Sequence, residues 1–298
     1  MRPLTFLFYH YGGIPKYLRN AIEHIRVFNP SAEIMLITDG IGDTSILAPF
    51  SVRHHQMSEF PSDALAAFRQ TYQHISCFKE RYERFVLERW FVTENIRQSR
   101  PERVYIMQDS DVCLCGDAAE LLSFLGEKAV LLSGRNPHFT FVQNSVEGFL
   151  EYILAFYQDP ARLREARYLY ERDRWSPQIF TQGEMRFLFD YLPLERELMV
   201  YETDTACGYV DCNIHLPEGF DHMQLRRRPR KKVLWKKHEG RLFPHFLREG
   251  RPNRAFLLHF QGPGKRVFFR FNSLGGSLKI PLPMLNLLFK QKWLAQWT

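Results

Sequence analysis

The chain has 298 residues, 45% of them hydrophobic and 15% aromatic, which excludes a disordered or low-complexity spacer and allows one or two domains with a large core. Its formal net charge of +7 favours anionic partners such as nucleotides, phospholipid headgroups or nucleic acid, and selects none of them. Five cysteines, Cys77, Cys113, Cys115, Cys207 and Cys212, make no even disulfide framework, and Cys113-Leu114-Cys115 lacks the C-x-x-C spacing of zinc ribbons and redox motifs; they read as reduced core cysteines.

Leu4 to Tyr9 predicts a buried strand. This apolar stretch is too short for a signal-peptide core, and no run approaches the ~18 apolar residues of a membrane span. The expectation is a soluble or peripheral protein on the cytoplasmic side. Gly12-Gly13 breaks the strand, Pro15 suits a first helical turn, and Leu18, Ala21, Ile22, Ile25 and Phe28 recur at helical spacing up to Asn29-Pro30. Glu33 to Thr38 predicts a second strand closed by Asp39-Gly40. A β-α-β unit of this kind predicts a parallel sheet with nucleotide chemistry at its carboxyl edge.

Residues 80–97 predict a long amphipathic helix with Tyr82, Phe85, Val86, Trp90 and Phe91 on its apolar face, ended by Arg100-Pro101. A strand over Val104 to Met107 follows, then a short one at Ala129 to Leu132. Helical patterns return near 146–157, 160–172 and 183–191. Residues 200–240 are mixed and contain the basic run Arg226 to Lys232, and Phe256 to Phe260 predicts a last strand. No internal repeat or Gly/Ser linker divides the chain, so one α/β domain over 1–265 with a basic, aromatic extension over 266–298 is expected.

The chemistry centres on Asp109-Ser110-Asp111, directly after the Val104 strand. A lone D-x-D is weak evidence, since roughly one is expected by chance in a chain this long. Its position makes it informative: carboxylates at i and i+2 at a strand end can face one divalent cation. Their alternative role is a turn or helix cap. A hard cation on paired carboxylates would neutralise a leaving diphosphate as a Lewis acid, and an imidazole in the set favours Mn²⁺ over Mg²⁺. His259 is the candidate third ligand, followed by Gly262-Pro263-Gly264-Lys265, where glycine amides can approach phosphate and Lys265 adds positive charge.

This order of motifs resembles a GT-A glycosyltransferase, in particular the family 8 enzymes and related bacterial enzymes of surface-polysaccharide synthesis. The matching stretches are Leu4 to Asp39, Arg81 to Leu87, Val104 to Asp111, and His259 to Lys265 as an H-x-x-G-x-x-K. The resemblance implies a GT-A fold, with a central mostly parallel sheet flanked by helices. It implies transfer of a hexose from a nucleotide sugar, a UDP-hexose, to a saccharide or lipid-linked acceptor with retention. Asp109, Asp111 and His259 would hold Mn²⁺ or Mg²⁺, and Arg84, Gly262 and Lys265 the diphosphate. Tyr9, His10, Tyr11 and Asp39 would face the nucleoside. The family's Asn-Ala-Gly and Asp-Gln-Asp segments are replaced here by Phe141-Val142-Gln143-Asn144 and Thr181-Gln182-Gly183-Glu184.

Glu184, Asp211 and Asn213 are the polar residues expected near the reacting sugar. A retaining enzyme needs no dedicated base, because the leaving diphosphate can take the acceptor's proton; an inverting one would use Glu184 or Asp211. Their alternatives are a helix-cap role for Glu184 and a turn for Asp211-Cys212-Asn213. The basic run at 226–232 reads as a solvated loop, a clamp on a phosphorylated acceptor, or a membrane-surface contact. Residues 283–298, with lysines and terminal tryptophans at helical spacing, would lie in a bilayer interface or pack on the core. Two other classes remain open: a nucleotidyltransferase acting on a sugar phosphate, and a non-catalytic basic polyanion-binding protein. No nucleic-acid partner is expected.

Overall fold

A computed structural model describes residues 2–40, 43–125, 130–133, 136–172, 182–194, 198–201, 204–205, 207–216, 218–225, 228–238, 241–261 and 265. The first β-α-β forms where the apolar pattern predicts it. Strands β1 (Leu4–His10) and β2 (Glu33–Thr38) pair in parallel, from Thr5 opposite Glu33 to His10 opposite Thr38. Helix α1 (Lys16–Phe28) joins them after Pro15, and buries Leu18, Ala21, Ile22 and Ile25.

Strand β3 (Arg53–Gln56) adds in parallel to β2, and β4 (Val104–Gln108) in parallel to the other side of β1. Beyond β4, β7 (Asn136–Val142) is antiparallel, β6 (Val130–Ser133) is antiparallel to β7, and β8 (Leu198–Tyr201) is parallel to β6. The order is β3-β2-β1-β4-β7-β6-β8, and four of its six pairs are parallel (β3–β2, β2–β1, β1–β4, β6–β8).

Both faces of this sheet are covered at its centre, which is why β1, β2 and β4 read as mostly apolar runs rather than alternating ones. Phe6, Phe8, Ile34, Leu36, Val104 and Ile106 point into one hydrophobic cluster with α1. Leu7, Met35, Ile37, Tyr105 and Met107 point into the other. There they meet α2 (Asp63–Thr71), α3 (Glu80–Ser99), α5 (Glu147–Gln158) and α7 (Glu184–Tyr191), with Phe68, Trp90, Phe91, Phe149 and Phe187 at the centre. Helix α4 (Ala118–Leu125) lies before β6, and α6 (Pro160–Arg172) follows α5.

A second sheet decides where the site forms. Strand β15 (Arg251–His259) runs antiparallel to β5 (Val112–Leu114), setting His259 opposite Val112. It also pairs with β14 (Arg241–Arg248), which pairs with β13 (Val233–His238), and runs parallel to β10 (Gly208–Val210), beside β9 (Asp204–Thr205). Strands β11 (His222–Leu225) and β12 (Arg228–Lys231) form a separate antiparallel hairpin.

Several elements differ from the sequence expectation. The last strand starts at Arg251 rather than Phe256, because pairing with β14 extends it through residues with no apolar alternation. The mixed 200–240 region contains short strands, and part of the basic run is β12 rather than a loop. Residues 266–298, including the aromatic 283–298 segment, and Arg226 and Arg227 lie outside the described residues. Among the described residues no helix is long and apolar enough to cross a membrane.

Candidate active site

The D-x-D sits in the tight connection between β4 and β5. Asp109 N–H donates to the His138 carbonyl (2.8 Å) and Val112 N–H donates back to the Asp109 carbonyl (3.1 Å), so the turn is held from both sides. Phe260 N–H donates to the Asp111 carbonyl (2.9 Å), which ties the end of β15 to the same turn. His259 is thereby carried to the two carboxylates: ligand atoms of Asp109, Asp111 and His259 all lie within 4.8 Å of one another. His259 Nε2 is 3.7 Å from Asp111 Oδ1, and Lys265 Nζ is 3.1 Å from Asp111 Oδ2.

The charges settle one another. Burial alone would raise the Asp111 carboxyl, but His259 and Lys265 override it and hold it well below the usual carboxylate range. In return, Asp111 holds both the His259 imidazole and the Lys265 ammonium above their ordinary values against the effect of burial. His259 Nδ1 lies 2.6 Å from the Cys212 carbonyl, an acceptor only, so Nδ1 carries the proton and Nε2 presents its lone pair towards Asp111 in the neutral ring. Two carboxylates and an imidazole at a sheet edge fit a manganese- or magnesium-type cation.

A buried network holds His259 from behind. Asp211 is fully buried and accepts from the His259 N–H (3.0 Å), while its other oxygen accepts from Lys231 Nζ (2.5 Å). Lys231, 1% exposed, also reaches Glu218 and the Asn213 carbonyl, among the rings of Tyr209, Phe220 and Phe246. His138 stacks on His259 with ring centroids 4.2 Å apart. Asp211 therefore lies behind the cleft, and its carboxylate is occupied. Asn213, expected near the sugar, turns its side chain to Gln261 Oε1 (2.5 Å) and the His215 N–H (2.9 Å). Contacts from β12 and β15 enclose Asp211, which no pattern in its own segment announces, whereas Asn213 is partly buried and contacts Gln261 of the cleft lining.

Helix α3 supplies a residue the sequence reading did not single out. Arg89 donates to Asp109 (2.9 Å) and, in a two-pronged contact, to both oxygens of Glu184 (2.8 and 2.7 Å). Tyr82, Phe85, Val86 and Arg89 follow i, i+3, i+4, i+7 and line the cleft together. Arg84, the residue expected at the diphosphate, lies five positions before Arg89, roughly 140° away around the helix. It faces Glu88 and borders a smaller cleft of about 200 Å³ with Asp39, Arg69 and Arg81. Asp39 accepts from Gly12 N–H (3.0 Å) and pairs with Arg81 (2.9 Å), which ties the β1–α1 loop to α3. Gly12 has φ +78°, a conformation that glycine adopts without strain.

Glu184 reaches Arg89 because Gly183 permits it. A Cβ on Gly183 would stand 1.9 Å from Glu83 Oε1, and the Glu83 carboxylate accepts the Glu184 backbone N–H. Trp90 Nε1–H also donates to Glu184. Burial pushes the Glu184 carboxyl up to about 7 even with Arg89 beside it, because one guanidinium serves two carboxylates and Asp109 opposes a second negative charge. A raised carboxyl binds its proton more tightly folded than unfolded. Its stabilising contribution is complete at low pH and is lost between about 4.5 and about 7. Urea denaturation should show stability falling by up to about 3 kcal/mol over that window. The fall should disappear in Glu184→Gln, and an equal slope in both proteins would reject the assignment.

These residues line one cleft of about 770 Å³, with Tyr9, His10, Tyr11, Tyr17 and Gln261. Phe78, Tyr82, Met185 and Phe189 stand at its border and are 39–49% exposed, an apolar rim around a charged floor. Gly262 lies outside the described residues.

No family model matches the sequence, and no curated protein matches it. Among solved structures the chain is similar to an active-site mutant of LgtC, at 10% identity and a TM-score of 0.47, over 89% of this chain and 93% of that one. It is similar to mouse xyloside xylosyltransferase 1, at 11% identity and a TM-score of 0.40, over 68% of this chain and 86% of that one. It is also similar to the glycosyltransferase GlyE of Streptococcus pneumoniae, at 11% identity and a TM-score of 0.35, over 70% of this chain but 47% of GlyE, about half its length. At this degree of overlap the likeness assigns neither donor nor acceptor, and the reaction is read from the cleft.

Proposed function

We propose that the chain is a metal-dependent glycosyltransferase of the GT-A type, moving a hexose from a nucleotide sugar, a UDP-hexose, to a saccharide or lipid-linked acceptor with retention. The observation that carries this reading is the convergence of Asp109, Asp111 and His259 at the end of β4, beside Lys265 and Arg89, in a cleft large enough for a nucleotide sugar. Asp109, Asp111 and His259 would hold Mn²⁺ or Mg²⁺, which when bound supplies Lewis-acid neutralisation of the leaving diphosphate.

The chain's own residues account for the rest. Lys265, half-buried beside Asp111, adds a fixed positive charge where the diphosphate would lie. Arg89 keeps Asp109 oriented and is itself held by Glu184. Tyr9, His10 and Tyr11 at the end of β1 line the same cleft and would face the nucleoside, and Asp39 holds their loop. Glu184 is engaged by Arg89 and Trp90 and Asp211 by Lys231, so neither carboxylate is free to take the acceptor's proton. That arrangement favours retention, in which the leaving phosphate accepts the proton. The exposed rim of Phe78, Tyr82, Met185 and Phe189 suits the apolar face of a sugar ring.

A nucleotidyltransferase would need phosphate on the β1–α1 loop. There the Gly12 amide is taken by the Asp39 carboxylate, which repels phosphate. Thermal denaturation tests the proposal. UDP with Mn²⁺ should raise the midpoint by about 5 °C at a hundredfold excess over its dissociation constant. UDP alone or Mn²⁺ alone should do less than the two together. No manganese-dependent shift with any nucleoside diphosphate would favour a polyanion-binding protein instead.

A further inference from the structure

The cysteine pair read as ordinary core residues acquires a third partner in the fold. Cys113 and Cys115 sit at and just after β5, two residues apart, so both thiols point to the same face, towards α1. His24 projects from α1 onto them. The three residues are 0%, 1% and 3% exposed, and their sulfur and imidazole nitrogen atoms lie within 4.8 Å of one another. The two sulfurs are 3.7 Å apart. Two thiolates about 2.3 Å from a tetrahedral metal stand about 3.8 Å apart, so the pair already spans one edge of such a site.

We propose that His24, Cys113 and Cys115 form a buried site for a thiophilic d¹⁰ cation of the Zn²⁺ type, separate from the cleft and independent of the glycosyltransferase reading. The ligands are held in place by contacts that do not involve a cation. Cys115 N–H donates to the Phe256 carbonyl (2.8 Å). Asn29, just past the end of α1, donates to the Gly116 carbonyl (3.3 Å) and accepts from the Ala118 N–H (2.9 Å), clamping the helix against the segment after Cys115. The donor set is sulfur and imidazole with no carboxylate, which selects against manganese, magnesium and calcium. Binding would release the two thiol protons and put one cation between two sulfurs that cannot otherwise both ionise side by side in a core. The result is a staple between α1 and β5, two residues beyond Asp111.

Cobalt separates this site from the carboxylate site, because only a sulfur ligand gives sulfur-to-cobalt charge transfer. The reduced full-length protein, titrated with Co²⁺, should show that absorption at one equivalent and lose it when Zn²⁺ is added. Cys113→Ser should weaken the band, since one of its two sulfurs is lost, whereas Cys212→Ser, which removes the side chain of the residue whose carbonyl faces His259, should leave it unchanged. If Cys113→Ser does not fold, His24→Gln keeps both thiols and should weaken Zn²⁺ binding by at least the about 10- to 100-fold that follows loss of an outer-shell partner, read by competition with a chromophoric chelator. Absence of the band in folded, reduced protein, an undiminished band in folded Cys113→Ser, or unchanged Zn²⁺ affinity in His24→Gln would each overturn the proposal. None of these outcomes bears on Asp109, Asp111 or UDP.

Discussion

Asp111→Asn is expected to abolish metal-dependent turnover of the nucleotide sugar, lowering kcat/KM by about a thousandfold or more, since a Lewis-acid contact is worth several kcal/mol. The substitution keeps shape and removes only the charge. That charge faces His259 and Lys265 at once, and both lose their raised affinity for a proton when it goes. Release of UDP with and without Mn²⁺ reads the effect, and circular dichroism checks the fold. Turnover within a few-fold of the wild type would remove Asp111 from the metal site. His259→Ala should follow the same pattern more weakly, because two carboxylates remain.

Arg89→Met should destabilise the protein by about 3–5 kcal/mol, the range for breaking a buried ion pair from one side. Glu184 would be left buried against Trp90 with no cation, and Asp109 would lose the contact that aims it. The cost should shrink below pH 7, where the Glu184 carboxyl takes a proton. A second substitution separates pairing from packing: Arg89→Met/Glu184→Leu should recover most of the loss, because neither charge is then stranded. Chemical denaturation of the single and double variants measures the coupling. A double variant no more stable than Arg89→Met would mean that the arginine stabilises by packing its stem. Activity should stay low in both, since Asp109 is unsupported in each.

Much of the frame was legible in the residues. Leu4 to Thr38 predicts β1, α1 and β2 because strand runs, a proline at the helix start and 3.6-residue spacing are local signals. The long α3 and the D-x-D behind β4 are readable for the same reason. Arg89 was not. It carries the i+7 position of the face begun by Tyr82, so the helical period contained the information, but the neighbouring Arg84 fits the family pattern and lies on another face. The basic run reads as solvated charge, yet Lys231 within it is enclosed by three aromatic rings and two carboxylates. No local rule turns a lysine inward, because its partners Asp211 and Glu218 come from other segments.

By itself the sequence determined the apolar periods, the first β-α-β unit, and the carboxylate pair at a strand end. Those depend on neighbours within a few residues, where spacing alone decides which face a side chain takes. Only the tertiary structure decided what stands around Asp109 and Asp111. Pairing of β5 with β15 brings His259 across nearly 150 residues of chain, and Glu184 reaches Arg89 across 95 positions. The surroundings of Asp211 and of Cys115 are decided on the same ground: burial and partners are set by long-range strand pairing, which leaves no periodic trace in the residues it joins.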